Sequence, residues 1–417
     1  MTDLQSVLEP YVLDATGTDI RGEAALLRER GPLVPVVLPG GIRAWAITTS
    51  DLLKSLFADE RVSKDSYRHW PAFLAGEVPP DWTLITWVSV RNMFTAHGED
   101  HTRLRKLVGP AFTARRVTAL QPQIDRIVGD LLDELAEHPS GSVVDLREEF
   151  AAQVPLRVIT ELMGVPDRLQ PRLRVCVEEI FSTLPQRDPA LTLAEMLELL
   201  TTLVALRRAQ PGDDMTSLLI NHRDEGDRLS EEELVHTLLL VITAGFETTV
   251  NLLDQATYEV LTRPALGAQL RAGTVEWPRL VEETLRFAPP VANLPLRYAI
   301  TDIDVDVAGQ QIKAGDPIIA AIAAANRRRP GTDADEFDPS SPKTEHLSFG
   351  YGPHYCLGAG LARLEAAVAL PALFTRFPHL ALATEPEALE TLDSFISVGH
   401  QQLPVHLTRI SRPAEAG

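Results

Sequence analysis

The chain has 417 residues, 45% of them hydrophobic, with a formal net charge of −19 and two cysteines, Cys176 and Cys356. The cysteine count excludes a disulfide framework, and the acidic balance argues against general nucleic-acid binding. No Gly/Ser linker or charge block divides the chain, so it reads as one large domain over 1–417 rather than the two or three that about 150 residues per domain would suggest.

Met1-Thr2-Asp3-Leu4-Gln5 carries no basic segment ahead of an apolar core, and the most apolar run, Leu238 to Phe246, is too short to span a bilayer. A soluble, cytoplasmic, monomeric protein is expected. Residues 1–17 read as irregular, and Asp19 to Arg30 as a short helix stopped by Gly31-Pro32. Val34 to Leu38 and Ile42 to Thr49 form a hairpin around Pro39-Gly40-Gly41, followed by a helix over Ser50 to Ala58. From Ser63 to Gly98 periodicity dissolves among Pro, Gly and three tryptophans, and the apolar content favours a binding loop over disorder. Helices resume over Glu99 to Val108, Thr113 to Glu137 and Glu148 to Met163, with a strand at Val143 to Leu146. Two more, about 168–184 and 191–209, flank a Pro-bounded connection, and Cys176 is a packing residue in the first.

Ser230-x-x-Glu233 is a capping box that opens an apolar helix running to Leu261. Its middle, Leu238 to Ile242, is apolar all round and should be buried. Trp277-Pro278 starts a further helix that Pro289-Pro290 ends. Strands are expected at Leu296 to Ala299, Ile303 to Val307 and Gln310 to Lys313, and an Ala-rich helix near Pro317 to Ala325. A polar meander then fills Asn326 to Glu345. A helix over Ala359 to Phe377 carries Pro371, which should kink or split it, and short strands follow at 380–383, 394–398 and 404–407.

Chemistry concentrates at Phe349 to Gly358, where a glycine-rich turn sets Cys356 just before a helix. Unpaired N–H groups and the helix dipole bias a sulfur there toward thiolate, the form that ligates metal or attacks electrophiles. Gly350, Gly352 and Gly358 remove side chains where the backbone must turn or something flat must approach. From these residues alone the thiol is a metal ligand, a nucleophile with His354 as base, or a buried structural group. In the long helix, Ala244-Gly245-Phe246-Glu247-Thr248-Thr249 sets an acid and two hydroxyls among apolar residues. Thr248 can bond back to the Ala244 carbonyl and Gly245 weakens the same turn, so a bulged, water-accessible turn is expected. His101 and Arg105 share a helix face at i, i+4, and Glu283 and Arg286 pair at i, i+3.

The segment Phe349 to Gly358 fills every fixed position of Phe-Gly-x-Gly-x-His-x-Cys-x-Gly and resembles the haem-binding signature of the cytochromes P450, the haem-thiolate monooxygenases. Three further motifs occur in that family's order: His101-x-x-x-Arg105, Ala244-Gly245-x-Glu247-Thr248 and Glu283-x-x-Arg286. The resemblance implies a mainly α fold with small β-sheets, holding haem b between the long helix and the cysteine loop. A β-rich lobe is expected at about 33–49 and 296–315, and a helical lobe at about 99–287 and 357–377. It implies Cys356 as the thiolate on iron, with His101, Arg105, Arg297 and His354 on the haem propionates. Phe349, Gly350, Gly358, Ala244 and Gly245 would frame the cofactor. By the same resemblance Thr248 holds hydrogen bonds around dioxygen and Glu247 relays protons, while Glu283 and Arg286 lock the meander. The chain departs from the pattern after Phe337-Asp338-Pro339, where relatives carry an arginine and this chain has Ser341.

A hydrophobic pocket is expected from the Trp-containing loop, the two lid-like helices, Met93, Val241, Ala244, Val291, Ala292, Leu294, Phe395 and Ile396. The implied reaction inserts one oxygen atom from O2 into a C–H bond of a steroid, macrolide, polyketide or terpenoid. No flavin or dinucleotide motif is present, so electrons from NAD(P)H must come through a ferredoxin and its reductase. Arg103, Lys106, Arg115, Arg116 and Arg363 would form the docking patch for an acidic ferredoxin. A peroxide-driven enzyme or a non-catalytic haem sensor would not need the Glu247-Thr248 pair.

Overall fold

Ser230 caps the helix on which the molecule is built: its hydroxyl accepts from the Glu233 N–H while the Glu233 carboxylate accepts from the Ser230 N–H at 2.8 Å. In this computed structural model, which describes residues 9–223, 226–327, 335–341 and 344–408, that helix is unbroken from Glu231 to Leu261. Expectations for residues 1–8 and for 328–334 and 342–343 of the meander lie outside the described residues. Most of the helix is buried, against helices Gln153–Met163, Pro189–Ala209, Trp277–Phe287 and Ala359–Arg376. It and Pro189–Ala209 are each long and apolar enough to cross a membrane, more than the short run Leu238 to Phe246 suggested. The central helix is apolar because protein surrounds it.

The strands are β1 (Tyr11–Val12), β2 (Leu33–Val37), β3 (Arg43–Ile47), β4 (Val62–Ser63), β5 (Val143–Asp145), β6 (Asn293–Ala299), β7 (Ile303–Val305), β8 (Gln310–Ile312), β9 (Pro317–Ala321), β10 (Ala381–Leu382) and β11 (Pro404–His406). Six form one sheet in the order β1-β2-β3-β9-β6-β4; β10-β11-β5 and β7-β8 form small sheets. The hairpin of β2 and β3 is as expected, with Gly40 at φ 81° in its turn. Its tightness depends on that glycine, since a Cβ there would meet the Trp82 ring at 2.7 Å.

Several boundaries differ from expectation, each for a local reason. Tyr11–Val12 is ordered by pairing with β2, which no local signal announces. The stretch 63–98 holds three short helices, at 66–69, 71–74 and 85–89, closed by Trp70 stacking on Tyr298 and Phe73. The expected helix over Thr113 to Glu137 is two helices, 114–119 and 121–135, because Pro122 offers no N–H to carry the hydrogen bonding of the first into the second. Arg147–Ala151 is a π-turn preceding Gln153–Met163. Helices at 215–221 and 264–272 went unexpected. Of the helix expected near Pro317 to Ala325, only Ile322–Ala325 is helical; Pro317 to Ala321 is strand, because its five residues are buried between β3 and β6, where tertiary pairing outweighs local preference. Residues 394–398 form no strand, only the Val291–Ser397 bridge. Pro371 leaves Ala359–Arg376 continuous. The carbonyl it orphans belongs to Ala367, an exposed residue, so water can take the missing bond.

Candidate active site

One cavity lies between the middle of the central helix and the cysteine turn, reached by Ala244, Gly245 and Thr248 from one side and by Phe349, His354 and Cys356 from the other. The turn is built on backbone. Gly350 donates to the Leu347 carbonyl at 2.8 Å and Cys356 to the Phe349 carbonyl at 2.9 Å. Gly350 and Gly352 take φ of 73° and 71°, and a Cβ on Gly352 would come 3.0 Å from the Phe57 carbonyl oxygen. Cys356 counts as exposed although it is deep in the chain, because it opens onto the cavity. Burial pushes its thiol up, against the Gly358 and Ala359 N–H groups and the Arg105 charge, which pull it down. The helix N-terminus acts as expected but does not by itself secure the thiolate.

Among the described residues the cations of the site are short of anions. Arg297 is 4% exposed, lines the cavity, and makes no ion pair with any described carboxylate. Its guanidinium lies 3.6 Å over the Phe57 ring, and burial lowers its pKa to about 9. Arg105 donates to the Tyr355 carbonyl at 2.7 Å. The His101 ring packs 4.1 Å from that of His354, behind the cavity wall, and its buried Nε2 has no hydrogen-bond partner among the described residues. Burial and the charges of Arg105, His97 and Lys64 lower His101 to about 4, and His354 is depressed further, first by burial. Lys64, which sequence reasoning missed, joins this group.

On the other wall the helix is regular, not bulged. The Thr248 hydroxyl donates to the Ala244 carbonyl at 2.6 Å, as expected, yet helical hydrogen bonding continues through this turn. Gly245 serves packing: a Cβ on it would meet Ile159 Cδ1 at 3.2 Å, so it lets the helix at 153–163 approach. Ala244 is exposed to the cavity. Glu247 faces away from the Cys356 cavity into a second one, lined also by Arg147, Glu178, Ser397 and Gln401. Its carboxylate accepts from Arg147 Nη2 at 3.2 Å and Asn251 Nδ2 at 3.1 Å, while burial pushes its pKa up.

Of the expected pocket residues, Met93, Val241, Ala244, Val291 and Leu294 line the cavity. Ala292, Phe395 and Ile396 do not, and that expectation is corrected. The Ala292 N–H donates to the Ile396 carbonyl at 2.6 Å and Asn293 Nδ2 to the Phe395 carbonyl at 2.8 Å, which turns all three into fully buried core. The Trp-containing loop and the first lid helix reach the wall as expected, through Trp87, Phe94, Ile180 and Phe181. The basic patch is also smaller than expected. Arg103 is tied to Asp227 and Glu233, and Arg363 to Glu282 at 2.6 Å, leaving Lys106, Arg115 and Arg116 exposed.

Glu283 and Arg286 form a two-bond pair at 2.8 and 2.9 Å, both fully buried. Arg286 also donates to the Glu336 carbonyl and Glu283 accepts from the Asp338 N–H, each at 2.8 Å. Around Ser341, main-chain groups therefore do part of what an arginine side chain would do, and Arg279 donates to the Ser341 carbonyl at 3.3 Å.

Residues 278–405 match the family model of the cytochromes P450. The chain is 42% identical over 401 residues to 2-hydroxy-5-methyl-1-naphthoate 7-hydroxylase of Streptomyces carzinostaticus, covering 95% of this chain and 97% of that one. It is 38% identical to 6-deoxyerythronolide B hydroxylase of Saccharopolyspora erythraea, over 92% of this chain and 95% of the other. Among solved structures, CYP154A1 from Streptomyces coelicolor A3(2) superposes with a TM-score of 0.90 at 52% identity, covering 95% of this chain and all of that one. The chain belongs to the cytochrome P450 family and is a haem-dependent monooxygenase of the hydroxylase kind. The site suits haem on its own terms: a sulfur open to the cavity, close-approach glycines and buried cations without counter-ions among the described residues match a flat, dianionic, thiolate-ligated group.

Proposed function

We propose that Cys356 ligates haem iron and that the enzyme hydroxylates a rigid, largely apolar ring compound derived from a polyketide. The observation that carries this reading is the meeting of the Cys356 sulfur, Ala244 and Thr248 on one cavity. Haem held by a thiolate supplies the activation of dioxygen. Arg297, Arg105 and His354, which line the cavity, would hold its two carboxylates with His101 packed behind His354, and Phe349, Gly350 and Gly358 would leave room for its face. Thr248, with its hydroxyl anchored on Ala244, orients hydrogen bonds where dioxygen is reduced. Glu247 takes protons from the second cavity and delivers them past the helix by swinging away from Arg147. Separating acid from hydroxyl in this way keeps bulk water off the reacting side.

The substrate is recognised by Trp87, Met93, Phe94, Phe181, Val241 and Val291, a wall with aromatic faces suited to fused or macrocyclic rings. The names of the naphthoate and erythronolide hydroxylases support that class over a linear terpenoid. Electrons come in the cytoplasm from NAD(P)H by way of a ferredoxin, which docks on the exposed Lys106, Arg115 and Arg116. The test is the reduced, carbon monoxide-treated spectrum. Wild-type protein should show the red-shifted band of thiolate-ligated haem and Cys356→Ser should lose it; a serine variant that keeps it ends the assignment. Screening aromatic and macrolide compounds for a high-spin shift then identifies the substrate, and peroxide without reductase tests a peroxide-driven alternative.

A further inference from the structure

A buried ammonium without a counter-ion is costly, so one needs a reason. Lys64 is 3% exposed. Its Nζ reaches the Pro295 carbonyl only at 3.4 Å and lies 3.4 Å above the Phe94 ring. Among the described residues no carboxylate pairs with it. The strand register explains its place: β4 and β6 pair antiparallel, Val62 with Ala299 and Ser63 with Tyr298, so the next step sets Lys64 beside Arg297. Like charges side by side on paired strands repel, and here both are buried. Burial and the Arg297 charge hold the Lys64 ammonium well below its ordinary pKa. Both residues line the Cys356 cavity, and the Lys64 charge reaches His354 and His101.

We propose that Lys64 is a further anchor for a carboxylate of the haem, beside Arg297, and that this cation pair makes the β4–β6 corner depend on the cofactor for its stability. The inference rests on the haem reading above. An acidic substrate could offer the same carboxylate chemistry. The cofactor is favoured because Lys64 is fixed by register to Arg297 and shares its field with His101 and His354, from the facing helix and the cysteine turn.

The test compares wild type, Lys64→Met and Lys64→Arg as ferric holoenzymes, following transfer of haem to excess apomyoglobin. Losing one charge-assisted bond should speed release by about tenfold in Lys64→Met, with Lys64→Arg near wild type. The midpoint potential of Lys64→Met should move negative, since a positive charge beside the cofactor is gone. Its haem-free form should melt above the wild-type haem-free form while its gain on binding haem shrinks. If Lys64→Met folds poorly, Lys64→Gln gives the same comparison with a neutral donor. Release at the wild-type rate overturns the proposal. So does a Lys64→Met enzyme that holds haem normally but binds 1-naphthoate more weakly, which would make Lys64 a substrate anchor. Failure of the wild-type carbon monoxide spectrum would instead remove the haem reading itself.

Discussion

Glu247 and Thr248 are neighbours in the chain, yet the helix turns one toward the Arg147 cavity and the other toward Cys356. Their roles can therefore be separated. On the proposed division, Thr248→Ala removes the hydroxyl on the Cys356 cavity but leaves Glu247, the proposed proton source, in place. Product formed per dioxygen consumed should fall by about tenfold or more, the balance appearing as hydrogen peroxide. Glu247→Gln keeps the Arg147 and Asn251 contacts geometrically possible but cannot carry a proton. Its oxygen consumption should slow by about tenfold or more, with a larger solvent deuterium effect than wild type. If both variants give the same slow, tightly coupled turnover, the division of labour is wrong. The sequence made this pair legible because a motif of fixed spacing carries it. It could not reveal Lys64, whose meaning comes from strand register with Arg297, 233 positions away. Nor could it separate Val291, on the cavity, from Ala292, whose main chain is tied to Ile396.

Among elements, the Trp277–Phe287 helix has the most work concentrated in one pair. Glu283 and Arg286 are both closed off from water, and together they fasten Glu336 and Asp338 of the meander. A buried guanidinium deprived of its carboxylate costs about 3–5 kcal/mol. Glu283→Ala should thus lower the unfolding free energy by that order and reduce haem content on purification, whereas a surface change such as Glu99→Ala should stay within about 0.5 kcal/mol. Denaturant melts of the two variants check this, and a Glu283→Ala protein as stable as wild type would show that the main-chain contacts suffice. Helix ends marked by strong local chemistry were readable from sequence: the Ser230 box, Gly31 and the Trp277-Pro278 start. Elements defined by partners were not. β9 reads as part of an alanine-rich helix until β3 and β6 claim it, and Pro371 leaves its helix unbroken where the carbonyl it frees belongs to an exposed residue, Ala367.

For the whole molecule, the balance of buried acids sets how stability depends on pH, and two glutamates pull in opposite directions. Glu282 is partly buried, and hydrogen bonds from His346 and Arg363 overcome that burial to bring it down to about 2. Its folded pKa lies below the unfolded value of about 4.3, so its contribution is complete above that value and is lost as pH falls toward 2. Glu365 is the reverse. It lines the Cys356 cavity, is 2% exposed, and burial alone raises it to about 8. A raised folded pKa means that its contribution is whole below about 4.3 and declines as pH climbs through 8, where a buried carboxylate must ionise. Melting temperatures of the holoenzyme across that range should separate the two. Glu282→Gln should be less stable than wild type at neutral pH, with the gap closing on acidification. Glu365→Gln should match wild type near pH 4 and exceed it increasingly toward pH 8. A Glu365→Gln variant that gains nothing on the alkaline side would mean that the carboxylate has a cationic partner when haem is bound, and that the cavity wall beside Cys356 is more polar than its residues suggest.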